Sequence, residues 1–199
     1  MTRRLRKLHQ IAIAFACVAA CVGGVVLPAG SAVASASDGG RTAVDGSRAA
    51  IARAATSTSS LAHSRELWAT VDVCNPADQR DTIGIRGSMP GDGNAHDTMY
   101  MEFQLQYLQG KHTWVDLAHG GSSGLIAVGP AKTVRQGGTS FQLMPAKGKP
   151  GYTMRGFVTF QWRRNGKVVH EVTRPTSAGH QGVADADPPG YSAAECTIA

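Results

Sequence analysis

From Leu67 onward, apolar and polar residues alternate in short runs separated by turn residues. A period of two places successive side chains on opposite faces, so this stretch predicts strands. Leu67, Ala69, Val71 and Val73 share one face of a first strand. Residues 82–89 form a second, closed by the turn-rich Met89-Pro90-Gly91-Asp92-Gly93. The clearest run is 99–108, where Met99, Met101, Phe103, Leu105 and Tyr107 alternate with Tyr100, Glu102, Gln104 and Gln106. Residues 114–117 predict a short fourth strand, and 126–134 and 139–144 follow on either side of Gln136-Gly137-Gly138. Residues 154–164 and 167–173 flank Asn165-Gly166, the dipeptide favoured in a two-residue type I′ hairpin turn. That turn sets Arg164 opposite Lys167, Trp162 opposite Val169, His170 opposite Gln161 and Phe160 opposite Glu171.

Seven to eight short strands without a convincing amphipathic helix predict an all-β domain over 67–199. An immunoglobulin-like antiparallel β-sandwich is the expected architecture, with Trp162 and the inward methionines in its core. A jelly roll or open barrel is the alternative. Residues 175–195 read as loop.

The pattern upstream is different. Arg3, Arg4, Arg6 and Lys7 precede an apolar stretch over 11–27, and the small-residue sites Ala32-Val33-Ala34 and Ala34-Ser35-Ala36 follow. This is the order of a secretory signal peptide, here 1–34. Retention as an uncleaved anchor is one alternative. Lipidation of Cys21 within Val18-Ala19-Ala20-Cys21 is another. Residues 35–66 are rich in Ala, Ser and Thr with few large apolar side chains, and read as a flexible linker.

Removal of the export segment alters the charge balance. Of 20 Lys+Arg, four lie in the first nine residues, while all 14 Asp+Glu lie beyond Ala36. The remainder carries 16 bases against 14 acids, so no basic surface for nucleic acid is indicated. Of the four cysteines, Cys17 and Cys21 fall in the apolar segment, leaving Cys74 and Cys196. In an exported domain such a pair forms one disulfide, which here is expected to fasten the C-terminal tail.

Leu67-Trp68-Ala69-Thr70-Val71-Asp72-Val73-Cys74, then Thr82-Ile83-Gly84-Ile85-Arg86-Gly87-Ser88-Met89-Pro90-Gly91, then Met99-Tyr100-Met101 form a run of motifs. Together with Ala178-Gly179-His180 and Gly190-Tyr191-Ser192 before Cys196, they resemble an uncharacterised family of small secreted proteins from high-GC Gram-positive bacteria. The resemblance spans about 67–198. It implies an exported β-rich module and no particular activity.

Candidate chemistry is sparse. Gly120-Gly121-Ser122-Ser123-Gly124, preceded by His119, matches G-x-S-x-G, but a nucleophile elbow requires a helix after the serine and a strand is expected there. Asp92, Asn94, His96 and Asp97 put four ligand-type side chains in a turn; the distal glutamate of a calcium loop is missing, and Asx side chains in turns bond their own backbone. No metal site, catalytic residue or cofactor is therefore expected. Tyr100, Gln104, Gln161 and Arg163 project outward from two long strands, and His180 precedes Cys196 in the tail. These five are the candidate binding residues for a glycan, cell-wall component or protein partner. The expected function is a secreted, non-enzymatic binding module. A secreted hydrolase using His180 or His119, and a membrane-anchored structural protein of the envelope, are the alternatives.

Overall fold

The computed structural model describes residues 59–145, 148 and 150–198. The expected signal segment 1–34, with Cys17 and Cys21, and most of the expected linker lie outside them. The described body is all-β and antiparallel. Its strands are β1 (Trp68–Cys74), β2 (Thr82–Met89), β3 (Thr98–Gln109), β4 (Thr113–Asp116), β5 (Ser122–Pro130), β6 (Arg135–Gln142), β7 (Tyr152–Arg164), β8 (Lys167–Pro175) and β9 (Cys196–Ile198). One sheet has the order β1-β2-β6; the other has β4-β3-β7-β8, with β5 also on β3 and β9 also on β7.

The inner face of the larger sheet is built from the alternation read in the sequence. Met99 pairs with Trp162, Met101 with Phe160 and Phe103 with Val158, and all six are fully buried. They face Val71, Ile83 and Ile85 of the smaller sheet, in one continuous core. Gly156 packs tightly against the smaller sheet: a Cβ there would lie 2.6 Å from Ile85 Cδ1. Trp162 is the largest fully buried side chain among the described residues, and its indole N–H donates to Pro90 O at 3.0 Å. A large ring can be buried here because its polar end is satisfied.

Four sequence expectations need correction. In the β7–β8 hairpin Arg164 does face Lys167, but the register then shifts, so that Trp162 faces His170, Gln161 faces Glu171 and Phe160 faces Val172. Val169 is the extra residue of a bulge, which a period-two reading cannot count. The strands expected at 126–134 and 139–144 each begin four residues earlier, as β5 and β6. Gly137 and Gly138 are strand residues instead of a separator, because Cβ atoms there would press on Val128 Cγ1 (2.7 Å) and Ile85 O (2.9 Å). At the other end, Leu61, assigned to the linker, is only 8% exposed and joins the core from a helical turn.

The fourth correction concerns the disulfide. Cys74 and Cys196 are bonded, with Cα atoms 5.6 Å apart. Cys196 opens β9, a strand the sequence reading missed, and β9 pairs with β7. The bond therefore joins the end of β1 in one sheet to β9 in the other, and does more than hold a tail. Residues 176–195 have their own attachments. They run along the free edge of β1, where Ser177 N bonds Ala69 O (2.8 Å), Ala193 N bonds Val71 O (3.0 Å) and Asp187 N bonds Asp72 O (2.9 Å). This strap covers an edge that would otherwise present unpaired backbone groups. It also explains why Thr70 and Asp72, on the outward side of β1, are buried.

Candidate functional site

Three places gather chemistry. The first is the outward face of the larger sheet, where Tyr100 lies opposite Gln161. The Arg163 guanidinium sits 5.2 Å from the Tyr100 ring centre and its Nε donates to Gln161 Oε1 at 2.8 Å. Gln161 in turn donates to Glu171 Oε2 at 2.5 Å and is itself only 9% exposed. Gln104, on the same sheet, spends its amide on Leu105 O (2.8 Å) and Leu117 O (3.2 Å). Three of the five candidate binding residues thus meet, and they are already engaged with one another. Farther along, Arg155 covers Trp114 in the same way, at 4.3 Å. The ring faces that would stack on a sugar already carry the chain's own guanidinium groups.

The second place is the strap. His180 stacks on Trp68 of β1 (centroids 4.7 Å, planes 13° apart), in the other sheet from Tyr100. Its Nε2 is 2.9 Å from Ser177 Oγ, and its backbone N–H donates to Ser192 Oγ at 3.0 Å. Burial lowers its pKa below the ordinary histidine value. Farther along the same strand, Asp72 is the extra residue of a bulge in β1. One of its oxygens pairs with Arg86 Nε at 3.0 Å, and Arg86 also reaches Asp185 at 3.1 Å. The other oxygen, Asp72 Oδ1, is buried without a partner, and burial pushes the carboxyl up despite Arg86.

The side chains of the turn at 92–97 bond within the protein. Asp92 Oδ1 accepts from Asn94 N (2.8 Å) and Asn94 Oδ1 from His96 N (3.0 Å). Asp97 is fully buried and held by both Nε (2.6 Å) and Nη2 (2.8 Å) of Arg164, which pulls its carboxyl below the usual range. The serine of the G-x-S-x-G run opens β5, and its hydroxyl donates to Glu102 Oε1 at 3.0 Å. No helix follows it, and no hydrogen bond joins it to His119 among the described residues.

The third place was not anticipated. A cavity of about 620 Å³ opens where β3 and β6 end and β7 begins. Met154 and Ile198, both buried, form its floor. Tyr107, Leu117 and Leu143 make its half-buried walls. His119, Met144 and Tyr152 stand at the rim, with Met144 97% and Tyr152 44% exposed. Register explains the floor: Tyr107 pairs with Met154, and Tyr152 with Ile198. The glycines of the run after β4 explain one wall. Gly120 has φ +71°, and a Cβ at Gly121 would collide with Leu117 O. The chain can therefore turn tightly and hang Leu117 and His119 over the end of β3, where Leu117 N bonds Leu105 O at 2.9 Å. The opposite wall is fixed by Leu143 N on Asp81 O (2.8 Å). None of this was legible in strand periodicity, because the lining comes from strand ends and connections.

No family model matches the chain, and no curated protein does. Among solved structures it is similar to a "putative beta-galactosidase" from Bacteroides fragilis at a TM-score of 0.30 and 13% identity; the match covers 57% of this chain and 16% of that one.

Proposed function

We propose that the protein is an exported, non-enzymatic binding module whose ligand site is the end cavity. One observation carries this reading: a concave, mainly apolar space of about 620 Å³ with a few polar groups at its mouth, the usual form of a small-molecule site. The disulfide supports an oxidising compartment, as expected for an exported chain. Among the described residues no helix is long and apolar enough to cross a membrane. The strand order supports the immunoglobulin-like reading: β1-β2-β6 and β4-β3-β7-β8 follow the A-B-E and C′-C-F-G pattern, from which β5 departs by pairing with β3.

An apolar fluorophore such as 1-aminoanthracene tests the site. It is expected to bind saturably, one per chain, and to be lost in Leu117→Trp, which fills the cavity, while Tyr100→Ala on the sheet face leaves binding intact. Loss in Tyr100→Ala, with Leu117→Trp binding normally, would move the site to the sheet.

A hydrolase is the second reading, favoured by the Ser177–His180 contact and the lowered pKa that leaves the imidazole free to act as a base. No carboxylate bonds to His180 among the described residues. A fluorophosphonate that labels Ser177 would establish this reading, and an unlabelled Ser177 would dismiss it.

A further inference from the structure

Resting on the end cavity as the ligand site, we infer that the Cys74–Cys196 disulfide is its redox latch: oxidation of the pair seats the cavity floor, and reduction releases the floor and the ligand together. Ile198 and Met154, both buried, form that floor. β9 carries Ile198 and is three residues long, with Cys196 and Ile198 turned inward and Thr197 exposed between them. It pairs with the first residues of β7, where Cys196 faces Met154 and Ile198 faces Tyr152. One floor residue therefore lies opposite the bonded cysteine. The other lies two positions beyond it on the same face of β9.

A three-residue ladder is a weak attachment by itself and opens locally at low cost. The chain leading into β9 is held by bonds that bypass sulfur: Ala193 N donates to Val71 O at 3.0 Å, and Thr176 Oγ1 donates to Ala194 O at 2.5 Å. These bonds reach only as far as Ala194, so breaking the disulfide loosens 195–198 and leaves the strap on β1. The central pairing of β3 with β7 runs through Met99–Trp162, Met101–Phe160 and Phe103–Val158, away from β9, so the body outlasts the loss. Cys74 is half-buried and Cys196 buried, which makes Cys74 the point of attack. A dithiol's thiolate attacks Cys74 Sγ, and the S–S electron pair leaves on Cys196 Sγ. The second thiolate then closes on its own first sulfur and expels Cys74 as a thiolate. The dithiol departs as a cyclic disulfide, having given two electrons to the pair. Linkage requires the converse: a ligand that binds the oxidised form tenfold more tightly makes the bond tenfold harder to reduce. Such a device keeps an exported chain empty until it reaches an oxidising compartment.

Titration of 1-aminoanthracene into the oxidised protein, and into the protein reduced with dithiothreitol, tests the latch. The reduced protein is expected to bind at least tenfold more weakly, while its near-ultraviolet circular dichroism, which reports aromatic packing around Trp162, is largely retained. Saturating 1-aminoanthracene is expected to raise, by the same factor, the ratio of reduced to oxidised dithiothreitol that reduces half the protein. Ile198→Ala cuts back the floor with the disulfide intact, so its oxidised form should already bind weakly, and reduction should cost it less than about twofold more. Equal binding by the oxidised and reduced forms of the unaltered protein would overturn the latch and leave the cavity as the site. An Ile198→Ala protein that binds like the unaltered one, or that loses a further tenfold on reduction, would overturn β9 as the route. Collapse of the near-ultraviolet signal on reduction would overturn the latch by showing that the bond holds the whole body. No saturable binding to the oxidised protein would overturn the cavity reading, and the latch with it.

Discussion

Gly156 shows how little room a single position has. The Cβ of an alanine there would meet Ile85 Cδ1 at 2.6 Å and Thr176 Cγ2 at 2.8 Å, both side chains of the packed interior. Gly156→Ala is expected to destabilise the protein by about 1–3 kcal/mol, read from urea unfolding, because a close-packed core yields only by distorting. His180 supplies a pH dependence at the same scale. Its folded pKa lies below the unfolded value of about 6.5, so the unfolded chain binds the proton more readily. The stability tied to neutral His180 is fully present above that unfolded value. It is lost as pH falls from there toward the folded pKa. Melting followed between pH 7.5 and 5 should therefore show a decline that His180→Phe, which keeps a ring on Trp68, makes shallower. Equal declines in both proteins would remove His180 as its source. These residue-scale features divide sharply in their legibility. The alternation at Met99, Met101 and Phe103 declared the core, because burial on one face of a strand leaves a mark every second residue. The single-residue slip at Val169 left no such mark, and it moved His170 from Gln161 to Trp162.

At the scale of elements, the short β9 has most to lose. Three residues of ladder with β7 hold it, and the disulfide ties its first residue to β1. The bonded cysteines are 122 positions apart, so in the chain-entropy account the cross-link contributes about 4–5 kcal/mol. Cys74→Ser with Cys196→Ser is expected to lower stability by up to that amount and to speed amide exchange in β9 before the rest of the larger sheet. Uniform exchange, with β9 as slow as β3, would show that pairing to β7 suffices. The strap should respond less, because its bonds to Ala69, Val71 and Asp72 do not pass through sulfur. Three residues are too few for a period to emerge, which is why β9 escaped the sequence reading. β6 was displaced for a related reason: glycine normally reads as a break, and here Gly137 and Gly138 lie within the strand, in contact with neighbouring side chains and backbone.

At the scale of the whole molecule, the fold class was legible and the site was not. Strand faces are periodic and turns have preferred residues, so an all-β body followed from Leu67 onward. The cavity is assembled from Tyr107, Leu117, His119, Leu143, Tyr152 and Ile198, which come together only when five separate strand ends and connections meet. The outward face containing Tyr100, Gln161 and Arg163 was legible, yet its polar groups have largely paired among themselves. A surface already satisfied offers less to a ligand than a concave, mainly apolar space. The most direct measurement is a methyl-labelled NMR titration with 1-octanol. The account predicts chemical-shift changes concentrated on Leu117, Leu143, Met154 and Ile198, saturating at one equivalent. Changes confined to the outward sheet residues, or none at saturating alcohol, would contradict it.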